Sequence, residues 1–215
     1  MSGVRSVVIG LTGGIGTGKT RVSDLLRELG AAIVCSDEIV RQLQAPGGEV
    51  LERIRETFGD EYVLASGELD RARLGELVFN DPAERQRLNA VVHPAVGRET
   101  SRQLEAHRKA EVPVIVLDIP LLFEVRRPGT AAAHPTDFVV TVYAPAETQL
   151  ERVLARDDLE PAEARARIDS QIPIEEKREL ADVVIDNSGA WDATEKQVRE
   201  LYALWVSRAR SAPPG

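Results

Sequence analysis

The stretch Gly13-Gly14-Ile15-Gly16-Thr17-Gly18-Lys19-Thr20 constrains this chain more than any other. It fits the phosphate-loop spacing: a Gly, four residues, then Gly-Lys and Ser or Thr. Its glycines let the backbone pass through conformations closed to residues with a Cβ, so that N–H groups can converge on phosphate oxygens. A helix beginning at about Gly18 adds its positive N-terminal end to the same anion site. Lys19 is placed to reach the terminal phosphates, and the Thr20 hydroxyl to hold Mg²⁺. At average residue usage a random chain of this length matches the pattern roughly once in a hundred times, so the flanks must decide. Before the loop, Val7-Val8-Ile9-Gly10-Leu11 is apolar and β-branched, as a buried parallel strand should be. Behind it, Val22, Leu25, Leu26 and Leu29 recur at helical spacing, and Gly30 stands where a helix stop belongs. Strand, glycine loop and helix come in the required order, and the minor alternative is a merely flexible glycine turn. The reading is a nucleoside triphosphate site.

Composition narrows the partners. With 27 basic and 35 acidic residues the formal charge is −8, against the basic surface that general nucleic-acid binding needs. An acidic protein that holds polyphosphate must gather its positive charge locally. Of the 27 basic residues 23 are Arg and only four are Lys; Arg is the side chain suited to bidentate phosphate contacts. At 215 residues, 43% hydrophobic and 29% charged, the chain suits one good core with a small appended lobe. The single Cys35 excludes an intrachain disulfide and fits a reducing compartment. No secretory pattern opens the chain, and Val112 to Phe123 is broken by Pro113, Asp118 and Pro120. We therefore expect a cytoplasmic monomer with no membrane and no nucleic-acid partner.

Along the chain, Ala32-Ile33-Val34-Cys35 reads as a second strand ending in Ser36-Asp37. Ligands of parallel sheets bind outside the carboxyl ends of the strands, so Asp37 is a candidate to orient a nucleophile or accept its proton. The alternative is that Ser36 or Asp37 caps a helix from Glu38 to Gln44. After Pro46-Gly47-Gly48 the segment from about Glu49 to Lys109 is mainly helical, divided by a Ser66-Gly67-Glu68 turn and an Asn80-Asp81-Pro82 start signal. That is too long for a plain crossover; we read residues 46–111 as a helical lobe inserted in the core to hold a second substrate. His93-Pro94 is expected to interrupt its helical pattern.

Val114-Ile115-Val116-Leu117-Asp118 reads as the third strand. An acid at that strand end has the shape of a second Mg²⁺-holding group, direct or through water, or of a structural loop acid. A Pro/Gly/Ala-rich loop runs from Arg126-Arg127 to His134-Pro135, and Phe138 to Tyr143 is a fourth strand. Pro145 opens a helix carrying Arg152 and Arg156 on one face. Asp157 to Pro161 interrupts it, and a second helix with Arg165 and Arg167 ends near Gln171-Ile172-Pro173. Two Arg-bearing helices around a hinge suggest a lid over phosphates, at about residues 145–175; the bland reading is a solvated face with Glu163 and Arg167 paired. Val183-Val184-Ile185 is a fifth strand, and Val198, Leu201, Tyr202 and Trp205 form a core stripe on the last helix. Alternating strands and helices give a parallel sheet with helices on both faces.

A GTPase switch would need the guanine-reading Asn-Lys-x-Asp, which the sequence lacks. Asp186-Asn187-Ser188-Gly189 lies after the fifth strand, too late to sense a γ-phosphate. A compact core, inserted lobe and Arg-bearing lid point to a small-molecule kinase. Several blocks resemble the dephospho-coenzyme A kinase family: Ile9 to Lys19; Ser36-Asp37 with Arg41; Leu88-Asn89 with His93-Pro94; Asp118-Ile119-Pro120-Leu121-Leu122-Phe123-Glu124; Gln149 to Asp158; and Ala181 to Asn187. They run in order over nearly the whole chain. Two positions depart from the family pattern. Thr17 and Thr20 replace serines, which keeps the hydroxyl, and Cys35-Ser36-Asp37 keeps only the second acid of the usual Asp-x-Asp.

The resemblance implies an α/β, three-layer P-loop kinase fold with a parallel five-stranded sheet, an inserted helical substrate lobe and a helical lid, all one kinase domain. It implies ATP and Mg²⁺ as cofactors and dephospho-coenzyme A as the substrate, phosphorylated on its ribose 3′-hydroxyl. Asp37 becomes the base and Lys19 the charge clamp. Gly13 to Thr20 and a lid Arg156 are implied to hold ATP, and Asp37, Arg41 and His93 the substrate. Thr20 and Asp118 take the metal. Another P-loop kinase, acting on a nucleoside monophosphate or a sugar acid, is the alternative.

Overall fold

Strand β1, Val7–Gly13, is buried along its whole length and is the axis of the sheet. The computed structural model describes residues 5–125 and 134–211. The loop beginning at Arg126-Arg127 and the Ala-Pro-Pro-Gly end of the chain lie outside them. Parallel strands β3 (Val114–Asp118) and β4 (Phe138–Tyr143) flank β1, and β5 (Val183–Asp186) pairs in parallel with β4. With β2 (Ala32–Cys35) the order is β2-β3-β1-β4-β5. The three inner strands are rich in Val, Ile and Leu because both of their faces are covered.

Two compact units make up the chain: Met1–Val34 with Leu104–Gly215, and Cys35–Gln103. In the first, α1 (Lys19–Glu28) and α10 (Trp191–Ser211) pack on the sheet. Val22, Leu25, Leu26, Val198 and Trp205 meet β-strand valines and isoleucines in one core, as the apolar stripe of the last helix predicts. Helix α1 stops where the sequence says it should. Gly30, at φ 104°, donates to Arg27 O while Ala31 N–H reaches back to Leu26 O, a Schellman pair that satisfies the last carbonyls. A single turn, α6 (Leu122–Val125), follows β3. Helices α7 (Ala146–Arg156) and α8 (Pro161–Asp169) follow β4. A further helix not expected from the sequence, α9 (Ile174–Leu180), precedes β5.

The second unit contains α2 (Ser36–Leu43), α3 (Glu49–Phe58), a 3₁₀ turn (Asp60–Tyr62), α4 (Arg71–Asn80) and the first part of α5 (Pro82–Lys109). Val50, Leu51, Ile54, Leu69, Leu74, Val92 and Ala95 form its own core. Asp81 accepts from the Ala83 and Glu84 N–H groups and caps α5, so the Asn80-Asp81-Pro82 signal starts that helix. The turn at Ser66-Gly67-Glu68 also forms, closed by Leu64 N–H on Glu68 O. One expectation is overturned: His93-Pro94 does not interrupt the helix, which runs unbroken for 28 residues with Pro94 inside it. Proline costs one backbone hydrogen bond, but Val92 and Ala95 on either side are both buried in the lobe core and hold the helix in register.

Candidate active site

The loop between β1 and α1 is shaped by its own residues and gripped from behind. Gly16 and Gly18 have φ of 76° and 86°, a region where a Cβ is strained. Thr17 folds the turn by donating from both Oγ1 (2.8 Å) and N–H (3.2 Å) to Gly14 O. Gly18 occupies the N-cap of α1, which leaves the N–H groups of Lys19 and Thr20 without intrahelical acceptors and turned to the loop side.

A second reason for glycine comes from α7. Gln149 is buried, donates to Ala144 O at 2.8 Å, and presses so closely on the loop that a Cβ on Gly16 would stand 2.6 Å from its backbone oxygen. On the β4–β5 side, Asn187 Nδ2 donates to Thr17 O (2.7 Å) and is itself fixed by Thr194 Oγ1 (3.0 Å). The Arg152 guanidinium spans Asn187 O (2.8 Å) and Gly16 O (3.5 Å). The loop is therefore preorganised by polar contacts from residues distant in the sequence.

On the β3 side, Lys19 Nζ is ion-paired with the Asp118 carboxylate, both largely buried. The register Leu11↔Asp118 brings that acid to the start of the loop. Asp118 is thus neither a distant loop acid nor an exposed one; only 4% of it is accessible. Thr20 is exposed in the first turn of α1.

Arg156 is the last residue of α7 and is clasped bidentately by Asp157 at 2.8 and 2.9 Å. This hydrogen bonding raises the guanidinium's pKa and holds the Asp157 carboxyl below its usual range, each against the opposing effect of desolvation. Arg167 pairs with Glu163 at 2.7 Å, the solvated-face arrangement.

In the second unit, Asp37 and Arg41 lie one turn apart on α2, both exposed. The N-cap position belongs to Cys35, which makes no side-chain cap bond. Neither Ser36 nor Asp37 is therefore the cap; both stand in the first turn, where a carboxylate meets the positive end of the helix. His93 is exposed on α5.

Several residues of the site are not legible in the sequence. The spacing puts Arg152 on a lid helix, whereas in the structure its guanidinium grips the loop. Gln149 and Asn187 stand in the sequence only as parts of longer blocks, and nothing in spacing or composition singles them out. The same holds for Gln171, whose Oε1 accepts the Ile15 N–H at 3.1 Å, and for the Glu124–Lys177 ion pair at 2.8 Å, in which Lys177 is fully buried.

Comparison with known proteins places the chain among relatives. The profile of the dephospho-CoA kinase family matches residues 7–193. The dephospho-CoA kinase of Symbiobacterium thermophilum is 47% identical over 195 residues, covering 91% of this chain and 80% of that one. That of Carboxydothermus hydrogenoformans is 41% identical over 198 residues, covering 92% and 94%. Among solved structures, dephospho-CoA kinase from Campylobacter jejuni superposes with a TM-score of 0.68 at 26% identity, covering 94% of this chain and 98% of that one.

Proposed function

We infer the roles of individual residues from one premise: this chain belongs to the dephospho-CoA kinase family. It is a dephospho-CoA kinase, which uses ATP to phosphorylate dephospho-coenzyme A and yields coenzyme A and ADP, the last step of coenzyme A synthesis. The observation that carries the reading onto residues is the phosphate loop whose lysine is held by the acid at the end of the neighbouring strand.

The phosphate loop, Gly13 to Thr20, holds the phosphates of ATP through the N–H groups that no protein acceptor among the described residues takes, those of Lys19 and Thr20 at the start of α1 among them. Lys19 carries positive charge to the terminal phosphate; Asp118 keeps its ammonium aimed until the nucleotide's own oxygens share it. Asp37 orients the ribose 3′-hydroxyl and takes its proton as the oxygen attacks the γ-phosphorus in line, with ADP leaving. Arg156 exchanges Asp157 for phosphate oxygens when the helical lid, at about residues 145–175, closes. Arg41 and His93 contact the substrate, and the lobe at about residues 46–111 holds the pantetheine arm.

Thr20 and Asp118 are hard oxygen donors of the kind Mg²⁺ takes. No group of three or more His, Cys, Asp or Glu able to hold a metal exists among the described residues, which suits an ion that arrives on the nucleotide rather than in a protein cage. Bound there, Mg²⁺ would supply neutralisation of the charge that the nucleotide's phosphates carry. Among the described residues no helix is long and apolar enough to cross a membrane. We further propose that the enzyme works as a cytoplasmic monomer.

The test is coenzyme A formation and ADP release with dephospho-coenzyme A, against AMP and adenosine, which share the reacting ribose. Remote binding energy from the arm should be used to position the hydroxyl, so the truncated acceptors should turn over slowly even at saturation. AMP turnover equal to that of dephospho-coenzyme A would favour a nucleotide kinase.

A further inference from the structure

The segment that leads from α8 to α9 is pinned at two successive residues. Gln171 Oε1 accepts the Ile15 N–H of the phosphate loop at 3.1 Å, and Ile172 N–H donates to Glu124 Oε1, also at 3.1 Å. Glu124 is held in turn by Lys177, whose fully buried ammonium lies 2.8 Å from the same oxygen of the half-buried carboxylate, as a charge contact without hydrogen-bond geometry. Thr141 on β4 then donates to Lys177 O at 3.1 Å. A buried charge pair is a costly device for tethering a surface link. Its effect here is to fix one uncharged side chain against one loop amide.

Two features of that side chain matter. Because Ile15 is the donor, the carboxamide oxygen must face it, so the orientation of the amide is decided by chemistry rather than assigned. A carboxamide also carries two N–H donors on the adjoining nitrogen, and among the described residues Gln171 Nε2 has no protein acceptor. The sheet order tells which end of the nucleotide it serves. Asn187 and Arg152 grip Gly16 and Thr17 from the β4–β5 side of β1. Ile172, the residue after Gln171, is tied through its N–H to Glu124 in the segment after β3, the strand whose last residue, Asp118, holds Lys19. Gln171 therefore stands on the side where the lysine meets the terminal phosphate.

We propose that Gln171, with its oxygen holding the Ile15 amide in place, donates from Nε2 to the terminal phosphate of bound ATP and orients it for transfer. The inference rests on the phosphate-loop assignment above and adds a neutral donor to its cations. A neutral amide is the right group for the task, since it bonds a phosphate oxygen without competing with Asp118 for Lys19.

Two variants separate this from a role confined to shaping the loop. Gln171→Glu keeps an acceptor for Ile15 N–H but replaces the donor with a carboxylate facing the phosphate. Gln171→Ala removes both. The side chain is partly exposed and outside both cores, so both should fold with unchanged melting temperature. We expect turnover to fall roughly tenfold in Gln171→Ala, the scale of a lost hydrogen bond to a charged group. In Gln171→Glu it should fall roughly a hundredfold, with an added electrostatic penalty. Equilibrium binding, which needs no acceptor substrate, should show both variants losing more affinity for ATP than for ADP. Gln171→Glu turning over as fast as or faster than Gln171→Ala, or equal losses for ATP and ADP, would overturn the proposal. Neither outcome touches the dephospho-coenzyme A reading, which wild-type coenzyme A formation tests by itself.

Discussion

Lys19 and Asp118 form a buried ion pair although 99 residues separate them, because β1 and β3 are parallel neighbours with Leu11 opposite Asp118. The pair joins stability to chemistry in a way the two effects of mutation can separate.

Lys19→Ala should abolish most turnover and also lower the melting temperature, since it removes the ammonium paired with a buried carboxylate. Adding Asp118→Asn to that variant should restore much of the melting temperature and none of the activity. ADP release and thermal unfolding measured on the single and double variants check both halves. Normal turnover in Lys19→Ala would end the phosphate-loop assignment.

Asp37→Asn keeps the shape of the side chain at the first turn of α2 and removes its charge. Turnover should drop by roughly 10²–10⁴, the usual scale of general acid–base catalysis, while ATP affinity measured by equilibrium binding stays close to wild type. A variant with near-normal turnover would leave Asp37 only its favourable place at a helix N-terminus.

Gly16→Ala would put a Cβ 2.6 Å from Gln149 O in a backbone conformation of φ 76°. The loop must then shift, and ATP affinity should fall at least about tenfold, given the strain of roughly 1–2 kcal/mol from φ alone. Gly97→Ala is the contrasting case. On α5 an added Cβ meets nothing within 4 Å, so stability should rise by roughly 0.5–1 kcal/mol. Unfolding and nucleotide binding distinguish the two; a Gly16→Ala variant that binds ATP normally would show that α7 does not constrain the loop.

Burial pushes the His134 imidazole below its ordinary value, and the Arg108 guanidinium adds to the effect. The folded state therefore binds fewer protons than the unfolded chain between the lowered value and the ordinary one. Stability rises with pH through that window and is level above it. In an NMR titration the His134 resonance should move below pH 6.5, and Arg108→Gln should raise its midpoint only partway, since burial remains. A midpoint at or above 6.5 would contradict the burial.

The division between what the residues announce and what folding adds follows from range. The strand–loop–helix unit at residues 7–29 was legible because its signals are local: a run of β-branched residues, glycines where φ must be positive, an apolar stripe at helical spacing, and Gly30 as the stop. The same local logic placed all five strands and the cap at Asp81. It misjudged Pro94, where burial of Val92 and Ala95 outweighs one missing backbone bond, and it did not see α9 as a helix of its own.

What the sequence by itself determined is the class of chemistry, since a phosphate loop is a contiguous backbone device that eight residues suffice to specify. Only the tertiary structure decided which side chains complete it. Asp118 reaches Lys19 through strand register, Asn187 and Arg152 reach the back of the loop through the packing of α7 and the β5–α10 link, and Gln171 reaches Ile15 across 156 residues. Contacts of that kind depend on which strands are neighbours and on how far one element slides along another. Those are cooperative properties of the packed core, and no short window of residues carries them.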